Sequence, residues 1–238
     1  MIVLGHRGGR GDGGPAENSL DAFRRAIDDG ADGVELAVRL CACGEPVVLH
    51  DASLARVPNG ADRRLVHRVR HLDLPKLAGG VEVARLDAAL ELFRGRIVNV
   101  EVKADAPRRL ALARAVARTI GRFSEVDVVV SSFDPAIVLA FSALAPRVPR
   151  AMLVGARTPR LGTALPLAVR PVIVAAHLED GIITERRVHR LRRAGLRVVA
   201  WTVNDSGRAA ELEAMGVEWV ITDHPARILG ELGEERLA

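Results

Sequence analysis

Aromatic residues and cysteines are scarce in this chain of 238 residues. Aromatic residues make up 3% of the chain and tyrosine is absent, so there are too few rings to stack on the bases of single-stranded nucleic acid. The two cysteines, Cys41 and Cys43, are too close together for an ordinary disulfide and too few for a structural zinc site. We therefore expect a reducing compartment.

Long apolar runs are also missing. Ile2-Val3-Leu4 runs directly into His6, which does not match the pattern of a secretory signal, and no apolar run is long enough to cross a bilayer. We therefore expect a cytoplasmic protein without a transmembrane segment. The sequence does not determine its oligomeric state.

The basic character of the chain comes almost entirely from arginine. The formal charge is +4, and the arginines are scattered over helical segments such as Glu185-Arg186-Arg187, with acidic residues to balance them. This distribution is typical of a solvated surface and not of a stripe that binds a phosphate backbone. Nucleic-acid binding is not expected.

Short runs rich in Val and Ile alternate with longer stretches of helical periodicity, and this alternation predicts strands and helices in turn. The predicted strands are Ile2–His6, Gly33–Val38, Ile97–Lys103, Val126–Phe133, Arg150–Val154, Val172–His177, Arg197–Val203 and Trp219–Asp223. The predicted helices are Ser19–Asp29, Leu86–Phe93, Pro107–Phe123, Pro135–Leu144, Arg160–Ala168, Glu185–Ala194, Ser206–Met215 and Pro225–Leu232.

Eight strands are the number that closes a parallel barrel, so the predicted fold class is α/β, a (β/α)₈ TIM barrel. An apolar content of 49% over this length supports one large core, and we expect a single domain over residues 1–238. An open doubly wound sheet is the alternative. It should carry a G-x-G-x-x-G turn, and Gly8–Gly14 lacks that spacing.

The predicted barrel has a short insertion after its second strand, at about residues 39–84. Arg39–Leu49 has the pattern of a hairpin around Cys43-Gly44-Glu45, and Ala52–Ala84 is punctuated by Arg and Gly like a loop. The insertion follows the carboxyl end of a strand, where the active sites of barrels are built.

Charged residues occur on strands that should face the barrel interior. Residues i and i+2 of a strand share a face, so Glu101 and Lys103 point together, as do Glu35 and position 37. Buried charges are costly unless they are paired or bound to a metal. One interpretation is a structural ion pair, Glu35–Lys103 or Glu101–Arg7. The other is a divalent cation on Glu35 and Glu101, where oxygen ligands suit Mg²⁺ or Ca²⁺.

Two histidines, His6 and His50, each end a predicted strand and precede a charged residue. A lone histidine is more often structural than catalytic. Two imidazoles at one rim, however, can divide proton removal from proton donation near neutral pH.

Several motifs occur in a defined order: Gly5-His6-Arg7-Gly8-Gly9, Glu17-Asn18-Ser19, Glu35-Leu36-Ala37-Val38, Val47-Val48-Leu49-His50-Asp51, Trp201-Thr202-Val203-Asn204 and Ile221-Thr222-Asp223-His224-Pro225. In this order they resemble the glycerophosphodiester phosphodiesterase family over most of the chain. The resemblance implies a (β/α)₈ barrel that hydrolyses a small-molecule glycerophosphodiester to glycerol 3-phosphate and an alcohol. It also implies that a substrate hydroxyl first attacks phosphorus, and that water then opens the cyclic phosphate.

The resemblance implies roles for eight residues by position. They are His6 and His50 as the acid/base pair, Arg7 and Lys103 as phosphate ligands, Glu35 and Glu101 as ligands of a divalent cation (Mg²⁺ or Ca²⁺), Asn18 as a lining residue, and Trp201 as an apolar wall. Packing of the barrel is an equally good explanation for Trp201.

The chain departs from the family pattern at the metal site. Ala37 stands where the family's E-L-D-V has an aspartate, and a methyl group cannot coordinate a cation. Cys41-Ala42-Cys43-Gly44 replaces the common T-x-D-G, and Ala16 replaces the proline before Glu17. Metal binding should be weaker unless Asp51, Asp12 or water fills the vacancy.

Three functional hypotheses follow. The first is an active metal-assisted phosphodiesterase with a two-carboxylate site. The second is a catalytically impaired barrel that binds a phosphodiester or phosphate without turnover. The third is a related barrel that acts on another substrate, such as a lysophospholipid, for which an apolar lip around Ala52–Ala84 would be expected.

Overall fold

Eight parallel strands close into a barrel in the computed structural model, which describes residues 1–11, 13–57, 62–158 and 165–235. The first strand, β1, pairs with both β2 and β9, and this double pairing closes the sheet and confirms the (β/α)₈ prediction. A further strand, β3, lies antiparallel to β2 outside the barrel. The strands are β1 Ile2–His6, β2 Gly33–Leu40, β3 Pro46–Val48, β4 Ile97–Val102, β5 Asp127–Ser132, β6 Arg150–Val154, β7 Ala175–Glu179, β8 Arg197–Trp201 and β9 Trp219–Thr222.

Helices alternate with the barrel strands, as the periodicity predicts. Ser19 begins the first helix as its N-cap, because the Ser19 side chain accepts a hydrogen bond from the Ala22 amide at 3.1 Å. The helices are α1 Leu20–Asp28, α2 Leu86–Glu91, α3 Arg109–Ile120, α4 Pro135–Leu144, α5 Leu165–Ala168, α6 Glu185–Arg193, α7 Ser206–Ala214 and α8 Pro225–Glu235. None of the described helices is both long enough and apolar enough to span a membrane.

Several predicted elements begin or end up to three residues away from their bounds in the structure. The strand predicted from Val172 begins at Ala175, because Arg170–Val172 forms a 3₁₀ turn whose apolar residues continue into the strand without a break. Of the helix predicted over Arg160–Ala168, the structure describes Leu165–Ala168 as helical. Residues 159–164 lie outside the described residues.

The barrel interior contains an apolar group of side chains and, towards the carboxyl ends of the strands, a polar group. The apolar group consists of Leu4, Val129, Ala151, Ala175, Val199, Trp219 and Ile221. Register places His6, Glu35 and Asn99 beside one another on adjacent strands, and His6 follows Leu4 by two residues on β1. The polar side chains are therefore held by regular strand pairing at the carboxyl end of the barrel.

The insertion after β2 is a packed unit. The predicted hairpin is confirmed, with Arg39 opposite Val47 and Leu40 opposite Pro46. The segment that follows is compact, because Leu54, Val66 and other apolar residues form a buried cluster with Cys41 and Val47 of the hairpin. Short 3₁₀ turns carry this segment across the surface: Leu54–Arg56, Val66–Arg68, His71–Asp73 and Ala78–Gly80.

Candidate active site

A cavity of about 200 Å³ opens at the carboxyl end of the barrel. It contains seven of the eight predicted site residues, and its lining residues are His6, Arg7, Glu35, His50, Asn99, Glu101, Lys103, Phe133, Leu153, Trp201 and Ile221. The eighth, Asn18, lines an adjacent cavity of about 330 Å³ that shares His50 with the first.

Asn18 supports the site through two hydrogen bonds to neighbouring backbone. Its backbone is in the left-handed region at φ +60°, and its side-chain oxygen accepts a hydrogen bond from the Ala37 amide at 3.2 Å. The Asn18 backbone N–H donates to the Arg7 carbonyl at 2.9 Å. Asn18 thus links the loop after β1 to strand β2.

His6 is held by the last strand of the barrel. Its Nδ1 lies 2.7 Å from Asp223 Oδ1, and its Nε2 lies 4.0 Å from Glu35 Oε2. Asp223 is itself fixed by Asn204, which donates to its Oδ2 at 2.9 Å. Burial raises the pKa of Asp223, but the hydrogen bonds from His6 and Asn204 outweigh it and lower that pKa to about 2. An ionised Asp223 therefore orients the imidazole, with Nε2 towards Glu35.

His50 has a similar carboxylate partner in a different electrostatic setting. Its Nδ1 lies 2.6 Å from Asp51 Oδ1, and Asp51 also forms an ion pair with Arg56. Burial and then the positive charges of Lys103 and Arg7 lower the pKa of His50 to about 4. His50 is therefore a neutral imidazole near pH 7.

Arg7 lies in a strained turn that places its backbone and side chain on different partners. Its φ is +52°, its amide donates to Glu35 at 3.1 Å, and its guanidinium donates to Glu17 at 3.0 Å. Gly8 follows with φ +87°, and a Cβ there would lie 2.7 Å from the backbone of Ala22. The Arg7 Nε is buried without a hydrogen-bond partner, and the residue lines the cavity.

The ion pairs of the barrel interior differ from the two structural ion pairs considered from the sequence. Lys103 Nζ donates to both oxygens of Glu101, at 2.9 and 3.1 Å. The predicted Glu35–Lys103 and Glu101–Arg7 pairs are wrong in their partners. The reason is local, because Glu101 and Lys103 share one strand face while the Arg7 side chain turns towards Glu17.

Ala37 is fully buried and is the cross-strand neighbour of Glu101. Asp51 does not replace the missing carboxylate, since it is held by His50 and Arg56, and Asp12 lies outside the described residues. Among the described residues, the only cluster of three His, Cys or acidic ligands is Cys41, Cys43 and Glu45 in the hairpin. The barrel mouth thus offers two carboxylates where three would be expected.

The remaining donors nevertheless fit a divalent cation that prefers oxygen ligands. Burial raises the pKa of Glu35; the charge of His6 opposes this and that of Glu101 adds to it. Asn99 is 1% exposed, lines the same cavity, and has no partner for either side-chain polar atom. Two carboxylates and an amide oxygen are a donor set that suits a hard divalent cation.

The far side of the cavity is apolar. Phe133 and Trp201 meet edge to face, with ring centroids 5.7 Å apart. The Trp201 indole N–H donates to the His177 carbonyl at 3.2 Å, which fixes the ring plane. Trp201 therefore packs in the barrel and also lines the cavity.

Sequence reasoning missed Asp223 and Asn99 as members of the site, and considered Asp51 only as a substitute metal ligand. Asp223 occurs in a quoted motif, but its contact with His6 spans 217 positions and cannot be read from spacing. Asn99 had a usable signal, because it precedes Glu101 by two residues on a strand whose alternate residues face inward.

The cavity at the carboxyl end of this parallel barrel holds two imidazoles, an arginine, a lysine and two carboxylates, a set suited to a phosphoric diester hydrolase. The profile of the Glycerophosphoryl diester phosphodiesterase family matches residues 6–227. The chain belongs to this family.

Known proteins resemble the chain over its whole length. It is 28% identical to Bacillus subtilis YhdW, with 100% of both sequences covered. It is 26% identical to the glycerophosphodiester phosphodiesterase of Caldanaerobacter subterraneus subsp. tengcongensis, with 96% of each covered. The fold matches an Oleispira antarctica phosphodiesterase solved with the product sn-glycerol-3-phosphate, at a TM-score of 0.86 and 24% identity over 98% of this chain and 97% of that one.

Proposed function

We propose that this chain hydrolyses glycerophosphodiesters to glycerol 3-phosphate and an alcohol, with His6 and His50 as its acid/base pair. The observation that carries the proposal is the position of the two imidazoles. Each is held at Nδ1 by a carboxylate, and both line one cavity together with Arg7 and Lys103. Family membership and the activity named for its relatives support the same reaction.

The surroundings of the two histidines assign their roles. His50 lies near two cations and is neutral, so it is suited to accept a proton first. His6 lies between the carboxylates of Asp223 and Glu35, which compensate the positive charge of an imidazole that carries a proton to be donated. We therefore assign His50 as the first base and His6 as the first acid.

The proposed reaction proceeds in two steps. His50 Nε2 removes the proton of a glycerol hydroxyl as that oxygen bonds to phosphorus, and His6 gives its proton to the alcohol oxygen as the P–O bond to it breaks. In the second step His6, now neutral, removes a proton from the water that attacks the cyclic phosphate. The ring P–O bond breaks, and His50 returns its proton to the glycerol oxygen.

Arg7 and Lys103 are the phosphate ligands in this proposal. The buried Arg7 Nε has no protein partner, and Lys103, which donates to both oxygens of Glu101, has one N–H left for a phosphate oxygen. Glu35 and Glu101 would hold a divalent cation, with the Asn99 amide oxygen as a further donor. When bound, such an ion stabilises negative charge on the phosphate oxygens, and Mg²⁺ fits this donor set better than Ca²⁺.

A catalytically impaired barrel is the alternative that a specific observation favours. Ala37 provides no ligand, and Lys103 already neutralises Glu101. The site can therefore bind a phosphate anion without a metal ion. A lipid substrate has less support. Within the described part of the insertion, Leu72 is the one large apolar side chain that is exposed, at 92%.

The test is release of glycerol 3-phosphate from glycerophosphocholine and glycerophosphoethanolamine by purified protein. The protein is first treated with a chelator, and Mg²⁺, Ca²⁺ or Mn²⁺ is then restored. Cation-dependent release is the expected result. Phosphate binding by calorimetry without release under any of the three cations would establish the impaired barrel instead.

A further inference from the structure

The tip of the β2–β3 hairpin brings two thiols and a carboxylate together. Cys41 Sγ lies 2.8 Å from Cys43 Sγ, and Cys43 Sγ lies 3.7 Å from Glu45 Oε2. One ligand atom from each residue lies within 4.8 Å of the other two. The sequence alone indicated too few cysteines for a zinc site, and the fold adds Glu45 as a third ligand.

We propose that Cys41, Cys43 and Glu45 form a binding site for a thiophilic divalent ion of the Zn²⁺ class, separate from the barrel cavity. Zn²⁺ is bound in proteins by thiolates and carboxylates, and soft sulfur ligands do not suit Mg²⁺ or Ca²⁺. The two sites of this chain would therefore take different metals.

Backbone hydrogen bonds of the turn bring the three residues together, and the two sulfurs, 2.8 Å apart, would separate to about 3.8 Å on a tetrahedral ion with Zn–S bonds of about 2.3 Å. The Cys41 amide donates to the Glu45 carbonyl at 3.1 Å, and the Gly44 amide donates to the Cys41 carbonyl at 3.0 Å. Gly44 has φ +82°, a conformation that glycine adopts without strain. The Ala42 amide donates to the Val69 carbonyl at 2.9 Å, which ties the tip to the packed insertion.

The exposure of Cys43 leaves room for an ion with one open position, while burial raises the pKa of the Cys41 thiol, so that ion binding must release its proton. Cys41 is buried in the insertion cluster, whereas Cys43 is exposed, so a fourth ligand can come from water. Two thiolates and one carboxylate carry three negative charges. A divalent ion compensates two of them, and the Arg85 guanidinium, 3.4 Å from Glu45 and shared with Asp87 at 3.1 Å, contributes part of the third.

An ion at this tip would also fix the turn that joins β2 to β3, and both strands lead to residues of the candidate active site. Strand β2 carries Glu35, and β3 leads directly to His50. Because metal binding to the folded form alone raises stability, binding should raise the melting temperature. That stabilisation should require Cys43.

The experiment titrates the full chain, reduced with a phosphine and freed of metal, with Co²⁺ as a spectroscopic probe and then with Zn²⁺ as its competitor. The expected result is a thiolate-to-cobalt charge-transfer band that saturates at one ion per chain and is displaced by Zn²⁺. Cys43→Ala should lose the band, and Glu45→Gln should keep the band with weaker binding.

Two controls keep the result specific. Glu82→Gln removes an exposed carboxylate of the same insertion and should leave the cobalt titration unchanged. Glu101→Gln alters the barrel site and should also leave the cobalt band unchanged. Melting temperatures provide a second readout, with a Zn²⁺-dependent rise in the parent chain that Cys43→Ala abolishes. The proposal is overturned if the reduced parent shows no band, if Cys43→Ala keeps it, or if mass spectrometry finds a Cys41–Cys43 disulfide that persists after reduction.

Discussion

The two halves of the barrel cavity differ in chemistry. All of its polar lining residues lie between positions 6 and 103: His6, Arg7, Glu35, His50, Asn99, Glu101 and Lys103. Those from the second half of the chain are all apolar: Phe133, Leu153, Trp201 and Ile221. A phosphodiester is likewise divided, with charge at phosphorus and carbon groups around it. In the proposed function the residues that touch the phosphate come from the first half, and the second half shapes the pocket and supplies Asp223, which orients His6.

The largest expected effect is the loss of a histidine from the charged half. His50→Ala and His6→Ala should each reduce kcat by about 10²–10⁴-fold, the usual contribution of one general acid or base. Initial rates of glycerophosphocholine hydrolysis measure this. His189→Ala alters an exposed imidazole on α6 and is the control. If either site variant kept the parent's kcat, the division of the cavity would be wrong.

The second half of the chain contains an ionisable group that should remain uncharged in the folded state. His177 is fully buried with no partner for either ring nitrogen, and burial, then the charge of Arg197, lowers its pKa from 6.5 to about 3. Below pH 6.5 the unfolded chain takes up a proton that the folded chain does not. The contribution of His177 to stability is therefore complete above pH 6.5 and is lost as pH falls towards 3.

That difference is about 2 kcal/mol at pH 5. His177→Leu should reduce by this amount the stability that the chain loses between pH 7.5 and pH 5, as measured by urea unfolding at both values. An identical pH dependence in the parent and the variant would show that His177 is hydrated in the folded state.

A third change sharpens the charged half by restoring a carboxylate. Ala37→Asp should tighten Mg²⁺ binding by about tenfold, or ~1.4 kcal/mol. Calorimetry measures the affinity, and chelation should destabilise the variant more than the parent because an unpaired buried carboxylate remains. Unchanged affinity, stability and rate together would mean that position 37 does not face the ion.

The smallest effect is expected at the apolar wall. Trp201→Phe keeps a ring against Phe133 but loses the hydrogen bond to the His177 carbonyl. It should raise KM a few-fold with little change in kcat, because an apolar wall contributes about 1–3 kcal/mol of binding at most. A fall in kcat at constant KM would place Trp201 with the chemical step.

The regular part of the fold was predictable because its signals are local. Val- and Ile-rich runs marked the barrel strands, and the Cys43-Gly44-Glu45 turn marked the hairpin. The start of β7 was misplaced because Val172 and Ile173 extend the apolar run across a 3₁₀ turn. The buried cluster of the insertion could not be predicted, since its apolar residues follow neither strand nor helix periodicity.

The composition of the site was more predictable than its pairings. Strand ends and motifs located His6, Glu35 and Lys103, since the carboxyl ends of parallel strands meet at one face. Hydrogen-bond partners depend on the rotation of side chains in space. The Asp223 carboxylate behind His6 therefore required the structure.

The most direct test of the central claim separates the two proton transfers. A glycerol phosphodiester of 4-nitrophenol has a leaving group that needs no protonation, so single-turnover release of nitrophenol reports the first step alone. His6→Ala should release nitrophenol at close to the parent rate while failing on glycerophosphocholine, and His50→Ala should fail on both. Equal losses in the two variants on the nitrophenyl substrate would contradict the assignment of His50 as base and His6 as acid.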